Sequence, residues 1–422
     1  MSDVPPGRRR LHLVVLVRSF GFPEGMAATN RVRLLGRALI EQDVDVSVVC
    51  MRVSERPGEV RNVAVCGVAD GIAFRYATGS TTRSDSFIGR RLREARGYLS
   101  TVLELVARRR RGTLDCVYLA SLPETWRPEV WVLLRLLRRI GVPVVVELNE
   151  LPSEASWLPE SLSRRFSHLD GAAAAVAISA WLRDWVDREA IRIDHPVDVI
   201  EVPIVVDTAG TPPASPQADP PMLVYSASDE YGRAVTFILR ALHTVWQTHP
   251  DCRLTITGMR PATVASLLAA EGLSQTDARV HAVGWIDRDR LLRLYGEAAA
   301  LLIPLFDDLR SEARFPTKVG EYLASGRPVV TTAVGEIERY FTDRETACIS
   351  RPGDPAGFAD SLLALLGDPD LATRVGAAGR RLAEERFAYS RQGPRLRAFL
   401  DQVCAGSKAA SPAPATTGTR RP

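Results

Sequence analysis

One pattern, occurring twice, restricts what this chain can fold into. The runs RLHLVVLV, VDVSVVC, DCVYLA, PVVVEL and AAAVAIS are short and almost wholly apolar, and helical patterns such as Thr29–Gln42 and Trp131–Ile140 separate them. Strands without apolar/polar alternation are buried on both faces, which predicts a parallel sheet with helices on each side. The segment DTAGTPPASPQADPP, residues 207–221, then changes the composition to that of a linker. After it the alternation resumes through PMLVYSA, CRLTITG, ARVHAVG, AAALLIPL and PVVTT. The expectation is an α/β chain with one doubly wound domain over residues 1–206 and a second over 222–390. A C-terminal helix over 391–404 and a disordered polar tail over 405–422 complete it. Sheets of this kind bind ligands beyond the carboxyl ends of their strands, so function is expected in a cleft between the two domains.

Composition narrows the partners. The hydrophobic fraction of 46% and charged fraction of 25% are those of a globular protein, and a net charge of +4 describes a mixed surface rather than a polyanion binder. Nucleic acid is therefore not an expected partner. Cys50, Cys66, Cys116, Cys252, Cys348 and Cys404 are widely spaced with no CxxC pair, which suggests neither a disulfide framework nor a zinc site and fits a reducing cytoplasm. Arg18 interrupts the apolar run near the N-terminus, which reads as a buried strand rather than a signal segment. No apolar stretch approaches the roughly 18 residues of a membrane span.

Within this frame one residue stands out. Of fifty-four basic residues only Lys318 and Lys408 are lysine, and Lys318 lies in FPTKVGEYLASGRPVV. Pro316, Gly326 and Pro328 bound a short helix from Pro316 to about Ser325, with Val319 and Leu323 on its buried side. A lysine in the first turn opposes the helix dipole unless an anion is bound there, so Lys318 points to a phosphate site. An exposed i,i+3 ion pair between Lys318 and Glu321 is the alternative.

PTKVGEYLASGRPVVTTAVGE resembles the signature of retaining GT-B glycosyltransferases of the type with two glutamates separated by seven residues. PEGMAATNRVRLLGRAL resembles the acceptor-domain glycine loop and first helix of that family, and VHAVGWIDRDRLLRLYGEAAALLIPL its stretch beside the nucleotide base. The resemblance covers most of residues 11–400. It implies two Rossmann-like domains, an N-terminal one for the acceptor and a C-terminal one for a nucleotide sugar. It further implies that Glu321 holds the ribose, that Gly284, Trp285 and Ile286 form the turn beside the base, and that Arg233 neutralises the donor diphosphate with help from Lys318. Gly25, Arg314 and Thr317 join the donor side.

Three positions depart from the pattern. Strict spacing puts the first glutamate at Ala313, with Glu312 adjacent; Ser228 replaces an arginine; and Asn149 with Glu150 replaces a histidine on the sugar or acceptor side. No metal is required by this reading, because arginine, lysine and a helix N-terminus can stabilise a diphosphate leaving group. The acidic pairs Asp229–Glu230 and Asp307–Asp308 read as turn formers or solvated charges.

The segment 88–112 has apolar residues at helical spacing and eight arginines, a basic amphipathic helix that is either an ordinary packed helix or a weak contact with anionic lipid. The function expected is transfer of a sugar from a UDP- or GDP-linked donor to a small-molecule or lipid-linked acceptor, with no cofactor. A nucleotide-sugar epimerase, a phosphorylase, or a binding protein without transferase activity are the alternatives.

Overall fold

The computed structural model describes residues 9–58, 60–121, 127–151, 167 and 169–409. The chain divides into two compact units. The first is drawn from Met1–Ile178, Leu182–Val202 and Gly393–Pro422, the second from Ser179–Trp181 and Pro203–Gln392.

Unit 1 is built on eight strands: β1 (Leu11–Val17), β2 (Val44–Cys50), β3 (Cys66–Ala69), β4 (Ile72–Tyr76), β5 (Cys116–Ala120), β6 (Val144–Leu148), β7 (Ala174–Ala177) and β8 (Asp198–Glu201). They lie in the order β3-β4-β2-β1-β5-β6-β7-β8. Every pairing is parallel except β3 with β4. The central strands are buried along nearly their whole length, as continuous apolar runs require. Helices α1 (Ala27–Ile40), α2 (Phe87–Arg111) and α3 (Pro128–Arg139) are amphipathic connections. One buried ion pair crosses the core: Arg31 of α1 donates through Nε to Glu147 Oε1 of β6 at 2.7 Å, and through Nη2 to the Val202 carbonyl at 2.8 Å. Both side chains are at most 2% exposed.

Unit 2 carries six parallel strands: β9 (Met222–Ser226), β10 (Arg253–Thr257), β11 (Val280–Gly284), β12 (Ala300–Ile303), β13 (Val329–Thr332) and β14 (Cys348–Ser350). Their order is β11-β10-β9-β12-β13-β14. The chain runs outward from β9 to β11, then returns to the other side of β9 at β12. That reversal makes the carboxyl ends of β9 and β12 the topological switch point, where open α/β sheets form a crevice.

Two segments differ from expectation. Residues 207–221 are tied down along unit 2: Ser215 and Ala218 donate from their amides to the carbonyls of Gly296 and Glu297 at 3.0 Å. Arg327 and Arg380 add side-chain bonds to the carbonyls of Ser215, Thr208 and Thr211. The proline-rich composition thus marks a strand-free covering of unit 2 whose carbonyls are satisfied by distant arginines, not a free tether. The last helix runs Tyr389–Ala409, past the expected end at 404, and its residues from Gly393 onward belong to unit 1. Arg397 anchors it: fully buried, it donates to the carbonyls of Gln42, Asp43 and Arg9 at 2.7 to 3.0 Å and pairs with Asp401. Residues 410–422 of the expected tail lie outside the described residues. No described helix is long and apolar enough to cross a membrane.

Candidate functional site

The site assembles at the switch point of unit 2. Ser226, the last residue of β9, is held from three directions. Its amide donates to Tyr322 Oη at 2.9 Å, and its hydroxyl oxygen accepts from Tyr295 Oη at 2.9 Å and Thr257 Oγ1 at 2.7 Å. The two buried tyrosine rings meet edge to face at 4.9 Å. This network fixes the Ser226 carbonyl, which accepts from Lys318 Nζ at 2.5 Å.

Lys318 is the first residue of the helix Lys318–Ala324, with Thr317 at its N-cap, so the helix begins two residues later than the sequence suggested. Residue 317 precedes it in helical geometry, with Pro316 outside. Burial is the main cause that lowers the Lys318 ammonium from 10.5 to about 8; Glu321 opposes the shift and the Arg314 guanidinium adds to it. The lysine is therefore not an exposed partner of Glu321. It is a desolvated cation beside a second cation. Glu321 instead accepts from Arg288 Nη1 at 2.8 Å, with its own side chain mostly buried.

Two further cations lie about the segment that follows Ser226. Arg314 Nη1 donates to Tyr231 Oη at 2.8 Å, its guanidinium lies 5.1 Å from the centroid of that ring, and its Nε is buried with no hydrogen-bond partner among the described residues. Arg233, in the first turn of the helix Gly232–Thr248, lies over the Phe306 ring at 3.8 Å and donates to Asp308 at 3.1 Å. Phe306 and Asp308 follow β12, so Arg233 bridges the two strands of the switch point. Asp308 caps the helix Leu309–Ala313; burial would raise its carboxyl, but bonds from Ser311 and the charges of Arg233 and Arg314 hold it below the ordinary value.

Lys318, Arg314 and Arg233 thus surround one loop, Ala227–Tyr231, at the amino end of a seventeen-residue helix. Asp308, which faces Arg233 and Arg314, offsets only part of this positive charge, so the arrangement can hold a diphosphate. Asp229, one of the two acids of the loop, is taken by Arg260.

The turn expected beside the base is present: Gly284 adopts φ +64°, Trp285 is 55% exposed, and Ile286 is half-buried. Arg288 follows three residues later, which brings this turn to Glu321. Ala313 is completely buried, and its carbonyl accepts from Ser179 Oγ at 2.5 Å. Glu312 remains on the exposed side of its short helix. Gly335 fixes that helix from below: a Cβ there would meet the Glu312 carbonyl oxygen at 2.8 Å, and its φ of +56° suits glycine.

In unit 1, Gly25 ends the loop 21–25, where a Cβ would lie 2.0 Å from Thr29 Oγ1. Asn62 latches that loop through both its amide atoms to the Glu24 backbone at 2.9 Å. Asn149 and Glu150 follow β6; the Asn149 Oδ1 is buried without a hydrogen-bond partner among the described residues.

Sequence reasoning missed Arg288, Tyr231, Ser226 and the tyrosine pair. Only Arg288 carried a signal, an arginine opposing the dipole at the start of the helix Arg288–Glu297.

Comparison with known proteins decides the architecture. The chain aligns over 94% of its length, and 100% of the other chain, with sucrose-phosphate synthase from Thermosynechococcus elongatus, at a TM-score of 0.69 and 18% identity. The fold is GT-B. Anabaena HepE, solved with UDP and glucose, matches 93% of this chain and 99% of its own at a TM-score of 0.65 and 14% identity. Residues 220–368 match the family described as Glycosyl transferases group 1, which spans all the residues gathered around Ser226. Glycogen synthase of Mycobacterium tuberculosis is 26% identical over 297 residues, 63% of this chain and 66% of that protein. Phosphatidyl-myo-inositol mannosyltransferase of Mycobacterium leprae is 26% identical over 55% of this chain and 60% of its own. The chain therefore spans just under two thirds of the curated relatives it matches.

Proposed function

We propose that this GT-B chain is a glycosyltransferase that moves a sugar from a nucleoside diphosphate sugar, UDP- or GDP-linked, to a small-molecule or lipid-linked acceptor. The observation that carries the reading is the convergence of Lys318, Arg314 and Arg233 on the Ala227–Tyr231 loop. Departure of a diphosphate leaves negative charge on its oxygens, and cations held in place by their neighbours, of which Lys318 is desolvated and Arg233 stays exposed, stabilise that charge. The same cations supply what a metal would, so the reaction proceeds without one. Glu321, Trp285 and Ile286 hold the ribose and base, and backbone amides of 314–317 contribute to the sugar in place of the carboxylate missing at Ala313. Among the described residues no side chain is placed as a nucleophile, so the acceptor attacks from the face that the diphosphate leaves. The diphosphate oxygen takes the acceptor proton, and anomeric configuration is retained. The complexes of HepE with UDP and glucose support the nucleotide class.

The stripe Ile88, Leu92, Leu99 and Leu103 of α2 is exposed. At 3.6 residues per turn these four fall within an arc of about 60°. They lie opposite the buried Gly97, Thr101 and Leu105, so weak contact with an anionic lipid surface belongs to the same reading.

Incubation with UDP-glucose, UDP-N-acetylglucosamine and GDP-mannose in the presence of EDTA tests the reaction. Slow release of nucleoside diphosphate, lost in Lys318→Ala, is the expected result. Nucleotide binding without any release would favour the alternative that Ala313 suggests, a binding protein that has lost its donor-sugar carboxylate. Absence of both would end the proposal.

A further inference from the structure

Unit 1 contains a second concentration of cations. Beyond the carboxyl ends of β2 and β4, the turn at Arg52 and Val53, the loop at Arg83 and Ser84, and the first two turns of α2 enclose a cavity of about 260 Å³. Arg52, Arg83, Arg90, Arg91 and Arg93 line it against a single carboxylate, Glu94.

The pairing inside this cluster leaves most of the positive charge uncompensated. Glu94 serves both Arg52 and Arg91, the latter at 3.0 Å, and these two hold its carboxyl below the ordinary value against the effect of burial. Arg93 donates to the Thr82 carbonyl at 2.6 Å and Arg90 to the Asp85 carbonyl at 3.1 Å, bonds that orient a guanidinium without neutralising it. The Arg83 side chain has no hydrogen-bond or ion-pair partner among the described residues. Three of the five arginines also fall in the first seven residues of α2, whose first turn holds no acid. They oppose the helix dipole there, whereas Arg108–Arg111 at the other end suit it. Guanidiniums aimed at a common space from three separate segments, at the carboxyl end of a parallel sheet, match the geometry of bidentate phosphate recognition. A pocket of this volume is below the roughly 300–1,000 Å³ that encloses a whole ligand, so it receives a group rather than a molecule.

We propose that this cavity is a phosphate-binding site, taking the phosphate or diphosphate group of a larger ligand through Arg83 and Arg90, with Arg52, Arg91 and Arg93 setting the field. The group belongs either to a lipid headgroup or to a free phosphorylated compound. Phe87 lines the cavity and is exposed, and Ile88 and Leu92 continue the apolar surface from it, which gives a lipid chain somewhere to lie. The inference does not depend on sugar transfer.

The test uses the full chain carrying Arg233→Ala, Arg314→Ala and Lys318→Ala, so that the three cations around the Ala227–Tyr231 loop contribute no binding. Pyrophosphate is titrated calorimetrically, and co-sedimentation is measured with phosphatidylcholine vesicles containing or lacking phosphatidic acid. Binding of at least one probe, weakened fivefold or more by Arg83→Gln with Arg90→Gln and reduced by added salt, is the expected result. Both arginines are exposed at the rim, so circular dichroism of the variant should be unchanged. Leu92→Ser with Leu99→Ser then distinguishes the sources: loss of vesicle binding with pyrophosphate binding intact assigns a lipid headgroup, and pyrophosphate binding without vesicle binding assigns a free compound. Failure of both probes to bind, or an effect of the arginine variant below fivefold on every probe that binds, would overturn the site.

Discussion

Raising the pH interrogates Lys318 without changing any side chain. Burial lowers its ammonium from 10.5 to about 8 in the free protein. At pH 8 the free site therefore holds about half a proton on this amine, at pH 9 about a tenth. A diphosphate placed against the amine favours the charged form and returns its pKa toward or above 10.5. Binding should then take up about 0.5 proton at pH 8 and about 0.9 at pH 9, while affinity falls toward tenfold per pH unit above 8. The nucleotide itself contributes little in this range, because the second phosphate pKa lies near about 6. Calorimetric titration of UDP or GDP in two buffers of different ionisation enthalpy measures the uptake directly. Lys318→Met should abolish it. The sign for stability is opposite to that of a typical lysine: the folded pKa is below the unfolded one. The free protein thus carries a penalty of about 3 kcal/mol below pH 8 that lifts between about pH 8 and 10.5. Uptake at pH 9 no greater than at pH 7.5, or uptake that persists in Lys318→Met, would show that this amine does not meet the diphosphate.

Glu321→Ala should weaken nucleoside diphosphate binding by about 1.5 to 3 kcal/mol, the worth of a charge-assisted bond, measured by calorimetry on the folded variant. Glu312→Ala should cost less than tenfold in turnover, since its side chain is exposed; an effect as large as that of Glu321→Ala would mean the loop shifts to present it. Arg233→Ala should lower kcat by more than it raises the dissociation constant of the donor, because leaving-group charge is greatest in the transition state, and equal losses in both would refute this. Arg31→Met strands the buried Glu147 carboxylate and should destabilise the protein by about 3 to 5 kcal/mol in chemical denaturation; a loss under about 1 kcal/mol would contradict the pairing.

The doubly wound architecture was legible because continuous apolar strands leave few other folds, and Lys318 was legible because a lysine is rare in an arginine-rich chain. Its phosphate assignment rested on where a cation sits in a helix, which is local information. The rest of the site is not local. Phe306 carries no signal in the sequence; the sheet order puts β12 beside β9 and brings its ring under Arg233. An ion pair between Glu321 and Lys318, three apart, was the alternative reading, yet each is engaged by a residue from another element, Arg288 and Ser226, at sequence distances of 33 and 92. The segment 207–221 read as a tether for the same reason: composition reports that it forms no helix or strand, and says nothing of Arg327 and Arg380 waiting to satisfy its carbonyls.

The buried Arg397 has a consequence for biosynthesis. The guanidinium of Arg397 satisfies the carbonyls of Gln42, Asp43 and Arg9, and it leaves the ribosome 355, 354 and 388 residues after them. Unit 2 is contiguous apart from a few residues and can mature as it emerges, but unit 1 must wait for the terminal helix through the whole of that interval. A chain that stopped shortly before Arg397 would keep every residue around Ser226 and still leave unit 1 unfinished, exposing the polar backbone that Arg397 covers.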